Sequence, residues 1–242
     1  MTKTESKHHK FLRILDSVKF HALVMAIGFI MVYPLIWLFA SSLKSNDTMF
    51  LNTYSLIPIK LDAAVNYLGA WKGVAGVSLL TFLGNSAFVT IVGTIGCVFT
   101  SILAAYAFTR VHFRFSRFWF SCVLVTMMIP TQVMVVPQYI ILKKMNLIDT
   151  RIALILPWFF GGGFFIFLLV QSLKAIPREL DEAAQIDGCG HFRILFNILV
   201  PILKPSIVTA SIFSFYWIWQ DFFQPLIFMS TTSKFTLPLA LN

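Results

Sequence analysis

The chain has 242 residues, 58% of them hydrophobic and 12% charged, with 26 phenylalanines and a mean hydropathy of +0.81. A soluble domain carries about 25% charged residues, so an ordinary water-soluble globule is excluded and lipid is the solvent for most of the chain. The formal charge of +9 reads as basic residues flanking membrane spans, with no nucleic-acid partner expected.

Residues 1–19 form a basic N-terminal tail. Its KHHK run at 7–10 suits anionic lipid better than a metal. A bilayer span needs about 20 mostly apolar residues. Windows free of Lys, Arg, Asp and Glu run over 20–43, 73–109, 118–142 and 152–173, and a fifth, 205–233, is interrupted only by Asp221. The second window is longer than one helix needs, which places its span at 79–108. The expectation is an all-α integral membrane protein with five transmembrane helices in one domain, 20–242. The first apolar stretch is too long for a signal-peptide core and lacks a small-residue cleavage site.

Basic residues set the orientation. With the N-terminus in the cytoplasm, Lys3, Lys7, Lys10, Arg13, Lys19, Arg110, Arg114, Arg117, Lys174, Arg178, Arg193 and Lys204 lie inside. Lys44, Lys60, Lys72, Lys143, Lys144, Arg151 and Lys234 lie outside. The larger group favours this orientation.

The stretch ELDEAAQIDGCGHF at 179–192 then falls on the cytoplasmic side, between spans four and five. It gathers Glu179, Asp181, Glu182 and Asp187, four of the chain's ten acids. Pro177 suits a first helical position, acids favour a helix N-terminus, and Gly188 suits the left-handed cap beyond the C-terminus. A short helix follows, with Ala183 and Ala184 leaving it a low profile. A second helical run, HFRILFNILV, ends at Pro201. On spacing alone, an amphipathic loop with solvated charges remains the plainer reading.

Elsewhere, Asp221 is flanked by Trp217, Trp219 and Gln220. An intramembrane carboxylate is costly and usually faces a bundle interior or a water-filled path. Aromatic faces beside acid and amide groups also suit a sugar, which makes these four residues a possible substrate pathway. The alternative is that the tryptophans belong to an interfacial belt and Asp221 caps or pairs locally. Pro34, Pro130, Pro137, Pro157 and Pro225 are expected to interrupt spans and the Gly161–Gly163 run to loosen span four, as helices that shift in a transport cycle tolerate, with ordinary kinks in a packed bundle the alternative for any one of them. Cys189 and His191 lack the partners of a zinc site, so no metal site is expected. No nucleophile-and-base arrangement stands out, so no catalytic residue is expected. The chain has no G-x-x-x-x-G-K-[ST] phosphate loop, so any ATPase must be a separate chain.

IPRELDEAAQIDGCGHFRILFNILVPILKP, with Glu182-Ala183-Ala184, Gly188 and the tail Ile198-Leu199-Val200-Pro201, resembles the EAA signature of inner-membrane permease subunits of ATP-binding-cassette importers. AAYAFTR (104–110), MMIPTQVMVVPQY (127–139), WQDFFQPL (219–226) and FTLPLAL (235–241) resemble its carbohydrate-uptake branch, that of the maltose permease. The resemblance implies a multi-pass protein of the bacterial plasma membrane, in which the EAA loop, 177–201, forms a coupling helix. Glu182, Ala183, Ala184, Asp187 and Gly188 would then engage a cytoplasmic ATPase, with Glu182 paired to a basic residue there. It further implies a second homologous permease, two ATPase subunits that use ATP and magnesium, and an extracytoplasmic solute-binding protein. This chain itself would bind no cofactor. The branch normally continues into a sixth span, and stopping at Asn242 reads as truncation. A sugar or oligosaccharide is the expected solute. The same architecture serving a polyol phosphate, or an ion-coupled secondary transporter centred on Asp221, is the alternative.

Overall fold

The computed structural model describes residues 3–49 and 55–241, with side chains from residue 15 onward, so the KHHK side chains lie outside the described residues. Two compact units are present, residues 1–71 and 72–242. No strand occurs among the described residues, only the isolated bridges Lys44 to Leu61 and Val74 to Val77. The all-α expectation holds.

The first unit holds α1 (Lys3–Ser42), α2 (Asn46–Met49) and α3 (Ala63–Lys72). Leu15–Ser42 is long and apolar enough to cross a membrane. Its side chains point outward almost throughout, as a helix solvated by lipid requires. Pro34 lies inside α1 and does not end it. The turn that follows is tied by Asn66 Nδ2, which donates to the carbonyls of Ser42 at 2.9 Å and Lys44 at 2.7 Å.

The second unit is built on α4 (Leu79–Arg110), a 32-residue helix. Its buried positions, among them Val89, Gly93, Cys97, Val98, Ser101, Ile102, Ala105 and Tyr106, recur every three to four residues, the period of one helix face. Around it pack α5 (Ser116–Thr126), α7 (Arg151–Ile155) and α8 (Gly163–Lys174), while α6 (Thr131–Lys144) packs against the later helix over Phe223–Phe228. The surface helix α9 (Glu179–Ile186) leads to α10 (His191–Arg193), α11 (Val200–Ile202), α12 (Lys204–Trp219), α13 (Phe223–Phe228) and α14 (Leu237–Ala240). Close approach to α4 is set by small residues, as between helices in lipid. A Cβ on Gly96 would lie 2.4 Å from the Phe159 ring, and one on Gly93 would lie 3.0 Å from Ile218.

Among the described residues, three segments are long and apolar enough to span, or five if each of two bent pairs counts as one. The window 118–142 is such a pair, α5 and α6, turned by 104° at Pro130, which caps α6 from outside. Gly161, at φ +73°, separates a 3₁₀ turn over Leu156–Phe160 from α8, so the glycine run loosens the helix locally while Arg151–Lys174 still counts as one span. Pro137 and Pro225, by contrast, sit inside α6 and α13. The helical run from His191 does not end at Pro201. It continues to Ile202 and meets α12 at 81°. Pro201 cannot donate to the carbonyl four residues before it, and the helix widens to a π-turn over Ile194–Leu199. The window 205–233 likewise breaks after Trp219, and α13 starts at Phe223.

Candidate functional site

The acid-rich stretch folds as α9, with Glu179, Asp181 and Glu182 in its first turn, where the helix dipole favours negative charge. Pro177 stands just before the helix, since Arg178 is the N-cap. At the other end Gly188 adopts φ +79°, its amide bonds the Gln185 carbonyl at 3.0 Å, and the Cys189 amide bonds that of Ala184 at 2.9 Å. That pair of bonds is the Schellman motif, which a left-handed glycine permits.

The acids divide by face. Asp181 is buried and turns toward the C-terminal end of α4, where its Oδ2 lies 2.7 Å from Arg110 Nε, with side chains 9% and 6% exposed respectively. This is an ion pair set off the hydrogen-bond axis, because neither Nε nor either carboxylate oxygen has a hydrogen-bond partner among the described residues. Removing one member of a buried pair costs roughly 3–5 kcal/mol. Arg110 Nη2 also donates to the Ile176 carbonyl at 2.9 Å. In return, Arg178 Nη2 donates to the Thr109 carbonyl at 2.7 Å, one of the last carbonyls of α4 that its own helix leaves unpaired. The Tyr106 hydroxyl and His191 Nδ1 stand 3.0 Å apart. These residues surround a cavity of about 430 Å³ that Glu182 and Gln185 also line.

The rest of α9 is open. Glu182, Ala183, Asp187 and Gly188 are exposed, whereas Ala184 is buried. Beside them stand two bare apolar side chains, Ile186 at 87% and Phe192 at 75% exposure. Sequence reasoning missed Arg110, Arg178, Asp181, Ile186 and Phe192 as members of this site. The helical spacing of Asp181 and Ala184, three apart and hence on one face, was the available signal for the inward acid.

A second cavity, also about 430 Å³, is lined by Thr131, Gln132, Val135, Trp158, Trp217, Gln220, Asp221, Phe222, Phe223 and Gln224. It brings together three of the four residues expected along a pathway. Trp219 is elsewhere, lining an apolar groove with Thr94, Ile212 and Phe215, its ring stacked on Phe215 at 5.8 Å. Trp217 sits against Phe164 at 5.3 Å and Phe165 at 5.2 Å between ring centroids. Asp221 Oδ1 accepts from the amides of Phe223 at 3.1 Å and Gln224 at 3.3 Å. It therefore serves as the local cap of α13, while its cavity also holds three glutamines and two tryptophans. Among the described residues, no group of three or more His, Cys, Asp or Glu side chains could hold a metal.

Apolar spans, a cavity lined by glutamines, tryptophans and an aspartate, and a surface helix lashed to a span end define a multi-pass membrane protein of transporter type. Residues 96–242 match the family of binding-protein-dependent transport system inner membrane components, and the chain belongs to it. The chain is similar to the arabinooligosaccharides transport system permease protein AraQ of Halalkalibacterium halodurans, with 31% identity over 89% of this chain and 76% of that one. It is similar as well to the sn-glycerol-3-phosphate transport system permease protein UgpE of Agrobacterium fabrum, with 34% identity over 91% of this chain and 79% of that one. Across such relatives the matched stretch spans from 56% to 79% of their length. A bacterial ABC transporter involved in import of the acidic polysaccharide alginate shares the fold, with a TM-score of 0.77, 21% identity, and coverage of 99% of this chain and 79% of that one.

Proposed function

We propose that this chain is one of two permease subunits of an ATP-driven importer, forming with a homologous partner the membrane pathway for a sugar or oligosaccharide. On this reading the N-terminus and α9 lie in the cytoplasm, two separate ATPase subunits use ATP and magnesium, and an extracytoplasmic binding protein delivers the solute. The observation that carries it is α9, whose outward face combines a carboxylate at Glu182, a small residue at Ala183 and the uncovered apolar side chain of Ile186. A small face seats deeply in a cleft, a carboxylate fixes its register, and the apolar neighbour gains from burial. ATP-driven closure of the ATPase pair moves α9, the spans reopen toward the outside, and hydrolysis resets them.

The cavity around Trp217, Gln220 and Asp221 is the proposed stretch of pathway. An aromatic face stacks on the apolar side of a sugar ring, and the amides of Gln132, Gln220 and Gln224 meet its hydroxyls. Gln224 Oε1 is buried without a hydrogen-bond partner among the described residues, which leaves an acceptor for a solute hydroxyl. A polyol phosphate remains the second reading, favoured by the likeness to a permease named for sn-glycerol-3-phosphate transport. The ion-coupled alternative loses its main support because Asp221 Oδ1 is engaged in capping α13.

The test is co-purification of the tagged full chain from its host, parent beside Glu182→Lys. An ATPase that accompanies the parent and is lost or sharply reduced with the variant supports the reading. Absence of an ATPase from both contradicts it.

A further inference from the structure

The surface helix is joined to the rest of the unit by three routes. Its N-terminal side leads through Ala175–Arg178 to α8. Its C-terminal side leads through the Gly188 turn, Gly190, a π-helical stretch and an 81° bend before α12 begins, a path with many places to yield. The third route is made by side chains alone and is crossed: a cation from α4 holds an acid and a carbonyl beside α9, and a cation at the α9 N-cap holds a carbonyl of α4. Arg110 reaches Asp181 and the Ile176 carbonyl, and Arg178 reaches the Thr109 carbonyl, all within 2.9 Å. The ion pair is largely buried, so water and salt screen it much less than an exposed pair.

From this joint α4 runs unbroken toward the second cavity. Seventeen residues separate Arg110 from Gly93, about 25 Å along a helix. A Cβ on Gly93 would lie 3.6 Å from Trp158 and 3.0 Å from Ile218, and Trp158 forms part of the cavity wall with Trp217. Between these ends, one face of α4 is buried from Gly93 through Cys97, Ser101 and Ala105, so it cannot bend without disturbing the packed core around it.

We infer that Arg110, Asp181 and Arg178 are positioning residues that form a rigid joint, through which movement of the surface helix is delivered to α4 and by α4 to the cavity at Trp158. The inference rests on the coupling role proposed for α9 and adds the conduit. It assigns to Asp181 a task different from that of Glu182 one position on: Glu182 engages the ATPase, whereas Asp181 hands the movement inward.

The experiment uses the full chain purified with its partner subunits, with Cys122 and Cys189 replaced by serine; Cys97 is fully buried. Thr131, exposed on the cavity wall, is replaced by cysteine and its modification by a membrane-impermeant maleimide is timed with and without ATP and vanadate. In the parent, nucleotide changes the labelling rate several-fold. Asp181→Asn and Arg178→Gln retain the ATPase but reduce that change to less than twofold. Arg110→Lys, which keeps a cation opposite Asp181, retains a substantial part of it. Arg178→Gln leaves the ion pair intact and guards against a folding defect in Asp181→Asn. An unchanged nucleotide response in Asp181→Asn and Arg178→Gln overturns the joint. So does loss of the ATPase with Asp181→Asn, which would place that residue in the docking face, or absence of any nucleotide response in the parent. Glu182→Lys separates the two proposals, because retention of the ATPase by that variant counts against the coupling reading itself.

Discussion

The Phe159 ring occupies the space into which any side chain on Gly96 would project, with an added Cβ 2.4 Å away. Glycine is therefore required at this point of α4 for contact with the 3₁₀ turn before α8, although a helix interior normally favours alanine by about 1 kcal/mol. Gly96→Leu is expected to lose about 1–3 kcal/mol through overpacking and to melt several degrees lower in detergent. Gly84→Ala on the same helix meets nothing within 4 Å and is expected to be neutral or slightly stabilising. Thermal unfolding of the two variants side by side checks both.

Asp149 ties the turn after α6 to the segment after α13. Its carboxylate accepts from the Thr231 hydroxyl at 2.6 Å, from the amides of Ser230 and Thr231, and from Lys234 Nζ at 2.9 Å. The Thr231 hydroxyl first, then the two amides and Lys234, hold this carboxyl well below its ordinary value of 3.8. A depressed folded pKa contributes stability that is complete above the unfolded pKa and is lost as pH falls toward the folded one. Asp149→Asn should therefore melt below the parent, with a constant difference from pH 7 to 5 that narrows only below about pH 4. A difference that shrank between pH 7 and 5 would contradict this assignment.

Ile186 is 87% exposed, so it contributes little to the isolated chain. Ile186→Ala is expected to leave the melting temperature unchanged while weakening ATPase association about tenfold, since burial of such a side chain is worth about 1.5–3 kcal/mol. Titration of the purified ATPase onto the detergent-solubilised chain measures it.

Asp221 has a capping role that asparagine can fill. Asp221→Asn is expected to retain stability and most transport, whereas Asp221→Ala loses about 1 kcal/mol and distorts the cavity wall at Phe223 and Gln224. Equal transport defects in both variants, with stability intact in Asp221→Asn, would instead assign the charge a part in the pathway.

The α9 helix was legible because its signals are local: acids in the first turn, glycine just past the end. The inward turn of Asp181 was less so, because its partner Arg110 belongs to a distant helix and only the fold brings them together. Spacing did hold a clue to Trp219. Residues two apart on a helix do not share a face, so Trp217 and Trp219 could not both line one cavity if α12 reached that far. The windows located apolar segments but not their direction, and the two arms of the 104° turn at Pro130 pack against different helices, α5 on α8 and α4, and α6 on α13. Asp221 lay open between pathway and cap because the start of α13 inside an apolar window leaves no mark in composition.

The central claim, that α9 is the docking element for an ATPase, is tested most directly by placing a photo-crosslinking amino acid at Ala183 of the full chain in its native membrane. The account predicts that irradiation joins the chain to an ATPase subunit, identified by mass spectrometry, and that Glu182→Lys abolishes the product. An efficient crosslink to lipid or to an unrelated protein, with no ATPase product from the parent, would contradict it.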